Sequence, residues 1–222
     1  MTDADDFSDA ERDAVYRVIA SRRDVRRQFV PTPVPSAVLR RILAAAHAAP
    51  SVGFSQPWDF LVLEDRPQRE RVKADFDRQN AAASGNYEGE RRTLYRSLKL
   101  EGILDAPLNL CVTCDRDRGG PNVLGRNSAI DADLFSTCLA VQNLWLAARA
   151  EGVGVGWVSI LDHAALACLL QLPPHVVPVA YLCVGYVSRF LPEPELETAG
   201  WAARDPLADR IHYDRWGDRH DE

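Results

Sequence analysis

The chain has 222 residues, which is enough for one domain with a sizeable core, and no Pro-, Gly- or Ser-rich linker divides it. Its composition is 46% hydrophobic and 26% charged, and its net charge of −6 disfavours nucleic acid as a partner. The longest apolar run, residues 176–187, is too short to span a bilayer and contains Pro178, so we predict one domain over residues 1–222 with no membrane partner.

The first part of the chain is predicted to be helical and to lead into a strand. A capping box that begins at Ser8 predicts a first helix to about Ser21. Three prolines then favour an extended segment until Ser36 opens a second helix, which ends near residue 49. An apolar strand is expected at residues 60–63.

Residues 66–105 are predicted to form polar helices that are interrupted at residues 84–86. The apolar residues of this segment are widely spaced, so the helices have only a weak apolar face. We therefore expect the segment to bury little and to act as a lid over another part of the molecule.

The second half of the chain alternates strands with helices. Strands are predicted at residues 108–114, 152–160 and 176–187. The long helix at residues 130–150 is apolar on nearly every face, so it should be central or packed against another subunit. Asp162 caps a shorter helix. From about residue 190 the chain is charged and proline-rich, and it is expected to wrap across the body or across a dimer partner.

The N terminus and the cysteines indicate a location in the cell. Residues 1–8 are acidic and lack the apolar region of a signal peptide, which predicts neither secretion nor mitochondrial import. The five cysteines are odd in number and lie in apolar segments, which favours reduced, buried thiols over disulfides. A cytoplasmic protein is therefore predicted.

The most concentrated charge in the sequence is in residues 22–29 (RRDVRRQF), where four arginines surround Asp24. The planar fork of arginine donors matches phosphate oxygens, so the cluster predicts a site for a phosphorylated ligand. The alternative is a solvated helix end at which Arg22 and Arg23 complement the helix dipole and pair with Asp24. The arginines should keep Asp24 ionised, which makes it a candidate base or an anchor for a ligand hydroxyl.

Two other segments are rich in small residues of the kind that often contact ligands. Residues 51–58 (SVGFSQPW) form a polar loop between a core helix and a core strand, although burial of Trp58 alone would also explain such a connector. Residues 152–156 (GVGVG) follow a helix and enter a strand, which is the reverse of the order in a dinucleotide-binding fingerprint. We expect these glycines to let a ligand or another backbone approach the strand.

The cysteines, the histidines and Ser159 are not expected to form a metal, redox or hydrolase site. Cys111 and Cys114 lie in an apolar strand without a second cysteine pair, which predicts core thiols and no zinc or redox site. The five histidines have no paired ligand spacing, so no metal site is predicted. Ser159 lacks the strand-to-helix elbow of a hydrolase nucleophile.

Residues 22–29, 51–58 and 154–159 (GVGWVS), in this order, resemble the flavin-binding segments of the nitroreductase family. The resemblance covers nearly the whole chain. It implies an α+β fold with a central, mostly antiparallel sheet flanked by helices. It also implies an intertwined homodimer that binds FMN at the subunit interface.

Within that family, the chain is most similar to the branch that consumes its flavin to make 5,6-dimethylbenzimidazole, the lower ligand of cobalamin. Asp24 stands where the family usually has a serine, and residues 94–102 (LYRSLKLEG) match the lid of this branch. The resemblance implies that O2 and reduced FMN yield 5,6-dimethylbenzimidazole and D-erythrose 4-phosphate. A lid that leaves little room for a nicotinamide further implies that a separate flavin reductase supplies the reduced FMN.

The resemblance also implies roles for individual residues. Asp24 and Ser159 are the predicted catalytic residues, Asp24 as a base acting on the ribityl chain and Ser159 as a hydrogen-bonding group at the flavin. The predicted cofactor-binding residues are Arg22, Arg23 and Arg26 at the phosphate and ribityl chain, Ser51 and Gln56 from the loop, Gly156 and Trp157 along the ring, and Arg204 at the phosphate.

Two other functions compete with this interpretation. One is an FMN-dependent NAD(P)H nitroreductase or cob(II)yrinic acid a,c-diamide reductase, in which the flavin is retained and recycled. The other is a flavin-storage or flavin-trafficking protein without enzymatic activity. The predicted lid and Asp24 favour the flavin-consuming reaction over both.

Overall fold

The structure is a computed structural model that describes residues 6–219. Residues 1–5 and 220–222 lie outside the described residues, so the prediction for the N terminus is not addressed there. The helices are α1 Asp9–Ser21, α2 Ser36–His47, α3 Arg66–Ala83, α4 Gly89–Ser97, α5 Ala132–Ala150, α6 His163–Leu169 and α7 Glu195–Thr198. The strands are β1 Trp58–Leu63, β2 Leu108–Asp115, β3 Val153–Val158 and β4 Val176–Tyr186.

The predicted helices and strands of the described chain are confirmed, with ends that differ by at most two residues. The exception is the polar helical segment, which was expected to reach about residue 105 and ends at Ser97. The capping box at α1 forms as expected, because the Ser8 backbone N–H donates to Glu11 and the Glu11 N–H donates to the Ser8 hydroxyl. The break within the polar helical segment is the 3-10 turn Ser84–Asn86. None of the helices in residues 6–219 has the length and apolar content needed to cross a lipid bilayer.

The four strands of the described chain form one sheet in the order β1-β2-β4-β3, and every neighbouring pair is antiparallel. The arginine-rich segment is added beside the edge strand β3. Asp24 forms a parallel bridge with Val155, and the Val25 N–H donates to the Val155 carbonyl at 3.0 Å. The sheet edge therefore fixes the backbone of the segment that carries the clustered arginines.

The sheet separates two hydrophobic clusters, which gives the α+β fold that the sequence predicts. The first contains α2 and α5 residues such as Ile42 and Leu144, both fully buried. The second lies on the other face and includes Ile103 and Leu166. Helices therefore cover both faces of the sheet.

Helix α3 does not fit the prediction that residues 66–105 bury little. Its side chains Val72 and Phe76 are buried in the second cluster, only 1% and 4% exposed. The sequence pattern was misleading because these two residues are a single turn apart in an otherwise polar helix, which gives a narrow apolar stripe. The lid prediction is thus limited to α4 and the residues that follow it.

The prediction that all five thiols are buried is also wrong for two of them. Cys111, Cys114 and Cys183 are buried in the sheet, whereas Cys138 and Cys168 are exposed on helices. Their helices are apolar on several faces, and in a single chain not every apolar face is covered.

Candidate functional site

A cavity of about 590 Å³ lies beside the arginine-rich segment. It is lined by six charged side chains, four with guanidinium groups and two with carboxylates, so the formal charges of these groups add up to +2. These residues are Arg22, Arg23, Asp24, Arg26, Glu195 and Arg204. A phosphate dianion would balance this charge, so the cavity is electrostatically suited to a phosphorylated ligand.

Contacts with helices α1 and α5 hold the first two arginines in place. Arg23 Nη1 donates to the carbonyl oxygens of Ala20 and Arg22 at 2.8 and 2.7 Å, so this side chain also caps the C-terminal end of α1. Trp145 Nε1 donates to the Arg23 carbonyl at 3.1 Å, and its ring centroid lies 4.9 Å from Arg22 Cζ. The helix-end interpretation therefore describes part of what Arg23 does, and the same contacts direct both arginines toward the cavity.

Asp24 connects the arginine segment to strand β3. Its Oδ2 accepts from Arg26 Nη2 at 2.6 Å, and its Oδ1 accepts from the Trp157 backbone N–H at 3.0 Å. Burial raises the pKa of Asp24 and outweighs Arg26, the Trp157 N–H and Arg22, all of which lower it. The arginines thus favour the ionised carboxylate, as the sequence predicts, but desolvation of that carboxylate is the larger effect on its pKa.

Three polar atoms in the cavity wall have no hydrogen-bond partner in the described chain. They are Arg23 Nε, Arg26 Nε and Glu195 Oε2. Buried donors and acceptors without partners are costly, typically ~1–3 kcal/mol each, so their concentration here is informative. The two arginine N–H groups can donate hydrogen bonds to an anionic ligand, whereas the carboxylate oxygen can only accept a hydrogen bond from a donor.

A second cavity of about 200 Å³ adjoins the first, and Arg26 and Leu196 line both. Its wall is mostly aromatic and apolar, with Tyr95, Trp157 and Trp201 among its residues. Such a surface suits a planar ring system, whereas the arginine-lined cavity suits a phosphate. The exposed Ser159 also lies here, at the end of β3.

Gly156 is the point at which the arginine segment touches β3. A Cβ atom at this position would lie 2.0 Å from the Val25 carbonyl oxygen and 3.6 Å from Asp24 Oδ1. The absence of a side chain at Gly156 therefore lets the backbone of the arginine segment lie against β3, which is one of the two possibilities predicted from the sequence. Gly156 affects the site by fixing the position of that segment.

We expect Gly156→Ala to displace the arginine segment, because the backbone oxygen of Val25 cannot move aside as a flexible side chain would. The variant should lose about 1–3 kcal/mol of unfolding free energy in urea titrations, and it should bind FMN, the cofactor that the sequence resemblance implies, more weakly. Gly85→Ala is the matched control, since nothing lies within 4 Å of a Cβ at that position. Equal stability and equal FMN affinity for the two variants would contradict this role for Gly156.

Ser51 and Gln56 line neither of these two cavities. Their loop is held by its own contacts, since the Ser51 hydroxyl accepts from the Gln56 N–H at 3.0 Å and the Val52 N–H donates to Ser136 at 3.0 Å. The structure thus brings together the predicted residues of the first and third motifs and Arg204, but not those of the second motif.

The sequence-based site does not include several residues of the two cavities, and four of them bear on the function proposed below. They are Tyr95, Glu195, Leu196 and Trp201. Tyr95 was within the predicted lid, and Trp201 belonged to a tail that was expected to wrap across the body, so both segments were identified without these roles. Glu195 and Leu196 gave no signal, because the proline-rich stretch around them has no apolar periodicity.

The thiols and the histidines within residues 6–219 form no comparable site. Burial raises the pKa of Cys111 to about 12 and that of Cys114 to about 11, as expected for unreactive thiols in a core strand. Cys111 packs in the second hydrophobic cluster, whereas Cys114 contacts Thr137 of α5 across the other face. Residues 6–219 contain no group of three or more His, Cys, Asp or Glu placed to hold a metal ion.

Comparison with known proteins relates this geometry to a family. The chain matches the Nitroreductase family over residues 19–186. The chain belongs to the nitroreductase family. It is 42% identical over 200 residues to the 5,6-dimethylbenzimidazole synthase of Rhodospirillum rubrum, an alignment that covers 90% of this chain and 94% of that protein.

Other members of the nitroreductase family extend the comparison. The 5,6-dimethylbenzimidazole synthase of Rhodobacter capsulatus is also 42% identical over 200 residues, which cover 90% of this chain and 96% of the relative. A crystal structure of oxidized iodotyrosine deiodinase bound to FMN and 3-iodo-L-tyrosine has a TM-score of 0.72 and 23% identity. The match covers 91% of this nitroreductase-family chain and 100% of that one, and it establishes the shared fold.

Proposed function

We propose that this nitroreductase-family chain is a 5,6-dimethylbenzimidazole synthase, which uses O2 to convert reduced FMN into 5,6-dimethylbenzimidazole and D-erythrose 4-phosphate. The observation that carries the proposal is the position of Asp24, whose two oxygens bind Arg26 of the arginine-lined cavity and the Trp157 N–H beside the aromatic cavity. Two relatives with this activity in their names, each 42% identical to the chain, support it.

The residues of the two cavities fit FMN as a ligand. The phosphate has four guanidinium groups available, and Arg23 Nε and Arg26 Nε lack other partners. Charge-assisted hydrogen bonds of this kind contribute roughly 1.5–3 kcal/mol each. The flavin ring suits the adjoining aromatic cavity, and its ribityl chain would cross the boundary that Arg26 and Leu196 share. Trp157 and Gly156 belong to the strand along that boundary.

Bound reduced FMN supplies the electrons for O2 and the carbon skeleton of the benzimidazole. Asp24 is proposed to accept a proton from the ribityl chain, either from a hydroxyl or from the carbon next to the ring. Its raised pKa makes the carboxylate a stronger base than an ordinary aspartate. The ion pair with Arg26 fixes its orientation, and the Trp157 N–H holds the other oxygen.

Ser159 is proposed to donate a hydrogen bond at the ring. It lies in the wall of the aromatic cavity, at the end of the strand that carries Trp157. A hydroxyl can rotate to suit either a donor or an acceptor, so this group can orient the ring without a fixed charge. Tyr95 and Trp201 would exclude water from the opposite wall.

A homodimer is part of the proposal, and two observations support it. The neighbouring helices α1 and α5 expose large apolar side chains, including Tyr16 at 63% and Phe135 at 64% exposure. Ile19 of α1 is 47% exposed and also lines the arginine-lined cavity, so a second copy on this face would help to close the cavity. Ser51 and Gln56 of a second copy would then be the ones to reach the flavin.

The source of the reduced flavin completes the proposal. The small aromatic cavity is bounded on one side by α4 and on another by Trp201, which leaves little space for a nicotinamide above the ring. We therefore propose that a separate flavin reductase supplies reduced FMN. The five free cysteines are compatible with the reducing environment of the cytoplasm, where this exchange would take place.

The proposed function is tested by loading the protein with reduced FMN under anaerobic conditions and then admitting air. We expect 5,6-dimethylbenzimidazole to accumulate, as measured by reversed-phase chromatography with mass detection. A sample kept anaerobic and a sample loaded with oxidised FMN serve as controls and should contain none. Rapid NADPH oxidation with the bound FMN left intact would instead support the nitroreductase or corrinoid reductase alternative.

A further inference from the structure

Helix α4 is attached near its N-terminal end to the segment at residues 194–204, here called the C-terminal strap. The Arg91 guanidinium carbon lies 3.5 Å from the centroid of the Trp201 ring, and Arg91 Nη1 donates to the Trp201 carbonyl at 2.8 Å. Tyr87 meets the same indole edge-on at 5.3 Å and stacks on Tyr95 at 4.9 Å. A cation over an indole face and edge-on aromatic contacts are both favourable, so this junction is specific.

A second attachment joins the other end of α4 to the C-terminal strap through Arg27. Arg27 Nη2 donates to the carbonyl of Ser97, the last residue of α4, at 3.2 Å. Its Nε donates to Glu195 Oε1 at 3.0 Å. Arg27 is the arginine of the cluster that does not line the arginine-lined cavity, and these contacts account for it.

The C-terminal strap is also a wall of both cavities. Glu195 and Arg204 line the arginine-lined cavity, Trp201 lines the aromatic cavity, and Leu196 lines both. Helix α4 itself buries little, with Tyr95 as its buried residue, so it is held by hydrogen bonds to residues 80–87 and by its contacts with the strap. Movement of α4 away from the ring would therefore have to break these contacts or carry Trp201 and Arg204 with it.

We propose that Arg27 and Arg91 are positioning residues that fasten α4 to the C-terminal strap, so that the lid over the ring and Arg204 at the phosphate close on the ligand as one unit. An isolated surface ion pair contributes little, but here two arginines act together with three aromatic rings in mutual contact, one pair stacked, one edge-on and one tilted. The identity of the ligand as a flavin phosphate rests on the proposed function, whereas the attachment itself does not.

The experiment compares Arg91→Met and Arg27→Met with Arg96→Met in the full chain. Arg96 lies on the same helix, but its Nε donates to Ser84 and not to the strap, so it is a matched control. Two readouts are used. Amide hydrogen exchange of α4 and of the strap is followed without ligand and with FMN, and the rate of FMN dissociation is measured by flavin fluorescence after dilution.

In the wild-type protein, exchange in α4 and in the strap should slow together when FMN is added. Arg91→Met and Arg27→Met should each accelerate exchange in both segments without ligand and raise the FMN dissociation rate about tenfold, while Arg96→Met changes it less than twofold. Arg91→Lys should restore part of the slow dissociation, because it keeps a cation near the indole.

Different exchange responses of α4 and the strap in the wild-type protein would overturn the inference. So would an effect of Arg91→Met and Arg27→Met no larger than that of Arg96→Met. A wild-type protein that binds FMN but forms no 5,6-dimethylbenzimidazole would contradict the proposed function alone, because the exchange measurements do not depend on turnover.

Discussion

Asp24→Asn is expected to lower the yield of 5,6-dimethylbenzimidazole by about 10²–10⁴-fold after anaerobic loading with reduced FMN and exposure to air. The amide keeps an oxygen that can accept from the Trp157 N–H, but it cannot accept a proton in the relevant pH range. FMN should bind at least as tightly as in the wild type, because the cavity gains one unit of positive charge toward the phosphate.

The pH dependence gives a second signature of Asp24. Since burial raises its pKa, the ionised form that can act as a base appears only as the pH rises through that raised value. As the pH is lowered, product formation by the wild type should therefore begin to fall at a higher pH than it would for an aspartate with an ordinary pKa.

The raised pKa of Asp24 also affects stability, because it means that the folded state favours the neutral carboxyl. The wild type should thus lose stability relative to Asp24→Asn as the pH rises from about 3.9, the unfolded pKa, through the raised folded pKa.

Asp59→Asn is the matched control for this variant. Asp59 pairs with Arg118 at 2.6 Å, the same distance as the pair of Asp24 with Arg26, but it lines neither cavity. Its product yield should remain within about twofold of the wild type. Comparable yields from Asp24→Asn and Asp59→Asn would remove Asp24 from the mechanism.

Arg26→Met is expected to weaken FMN binding by about 10- to 150-fold, the equivalent of one lost charge-assisted hydrogen-bonding group. Arg26 is 9% exposed, has a buried Nε without a partner and lines both cavities. The loss should be specific for the phosphate. Affinity for riboflavin, which lacks the phosphate, should change less than threefold, as measured by fluorescence titration of both flavins.

Arg40→Met, at an exposed position on α2, controls for the removal of a guanidinium group from the surface. It should leave both flavin affinities unchanged. An equal loss of FMN and riboflavin affinity in Arg26→Met would mean that the side chain supports the fold of the site and does not contact the phosphate. Arg26→Met should also raise the pKa of Asp24 further, because Arg26 is the largest of the effects that lower it.

Much of the fold could be predicted because its signals are local. The capping box of α1, the apolar run of β4 and the all-round apolar character of α5 each depend on residues within a few turns of one another. Helix α3 shows the limit of such patterns. Val72 and Phe76 are too few to give a strong periodic signal, yet they are buried against the sheet because the second cluster needs a covering layer.

The candidate site was predictable in its motifs and not in its geometry. The segments around Arg22, Ser51 and Gly156 could be recognised from their residues, and two of the three do meet in the structure. The loop of Ser51 and Gln56 lines neither cavity of the single chain. The spacing of motifs along a sequence carries no information about which of them meet in space.

The sequence by itself determined the order of helices and strands, the arginine cluster and the resemblance to the nitroreductase family, since all of these depend on residue types at short spacing. Only the tertiary structure decided the raised pKa of Asp24, the wall formed by Glu195 and Trp201, and the role of Arg27. These features arise from contacts between distant parts of the chain, such as Asp24 with Trp157, 133 residues apart, and Arg27 with Glu195, 168 residues apart. Burial and pairing at such separations are set by packing, which no local pattern of residues specifies.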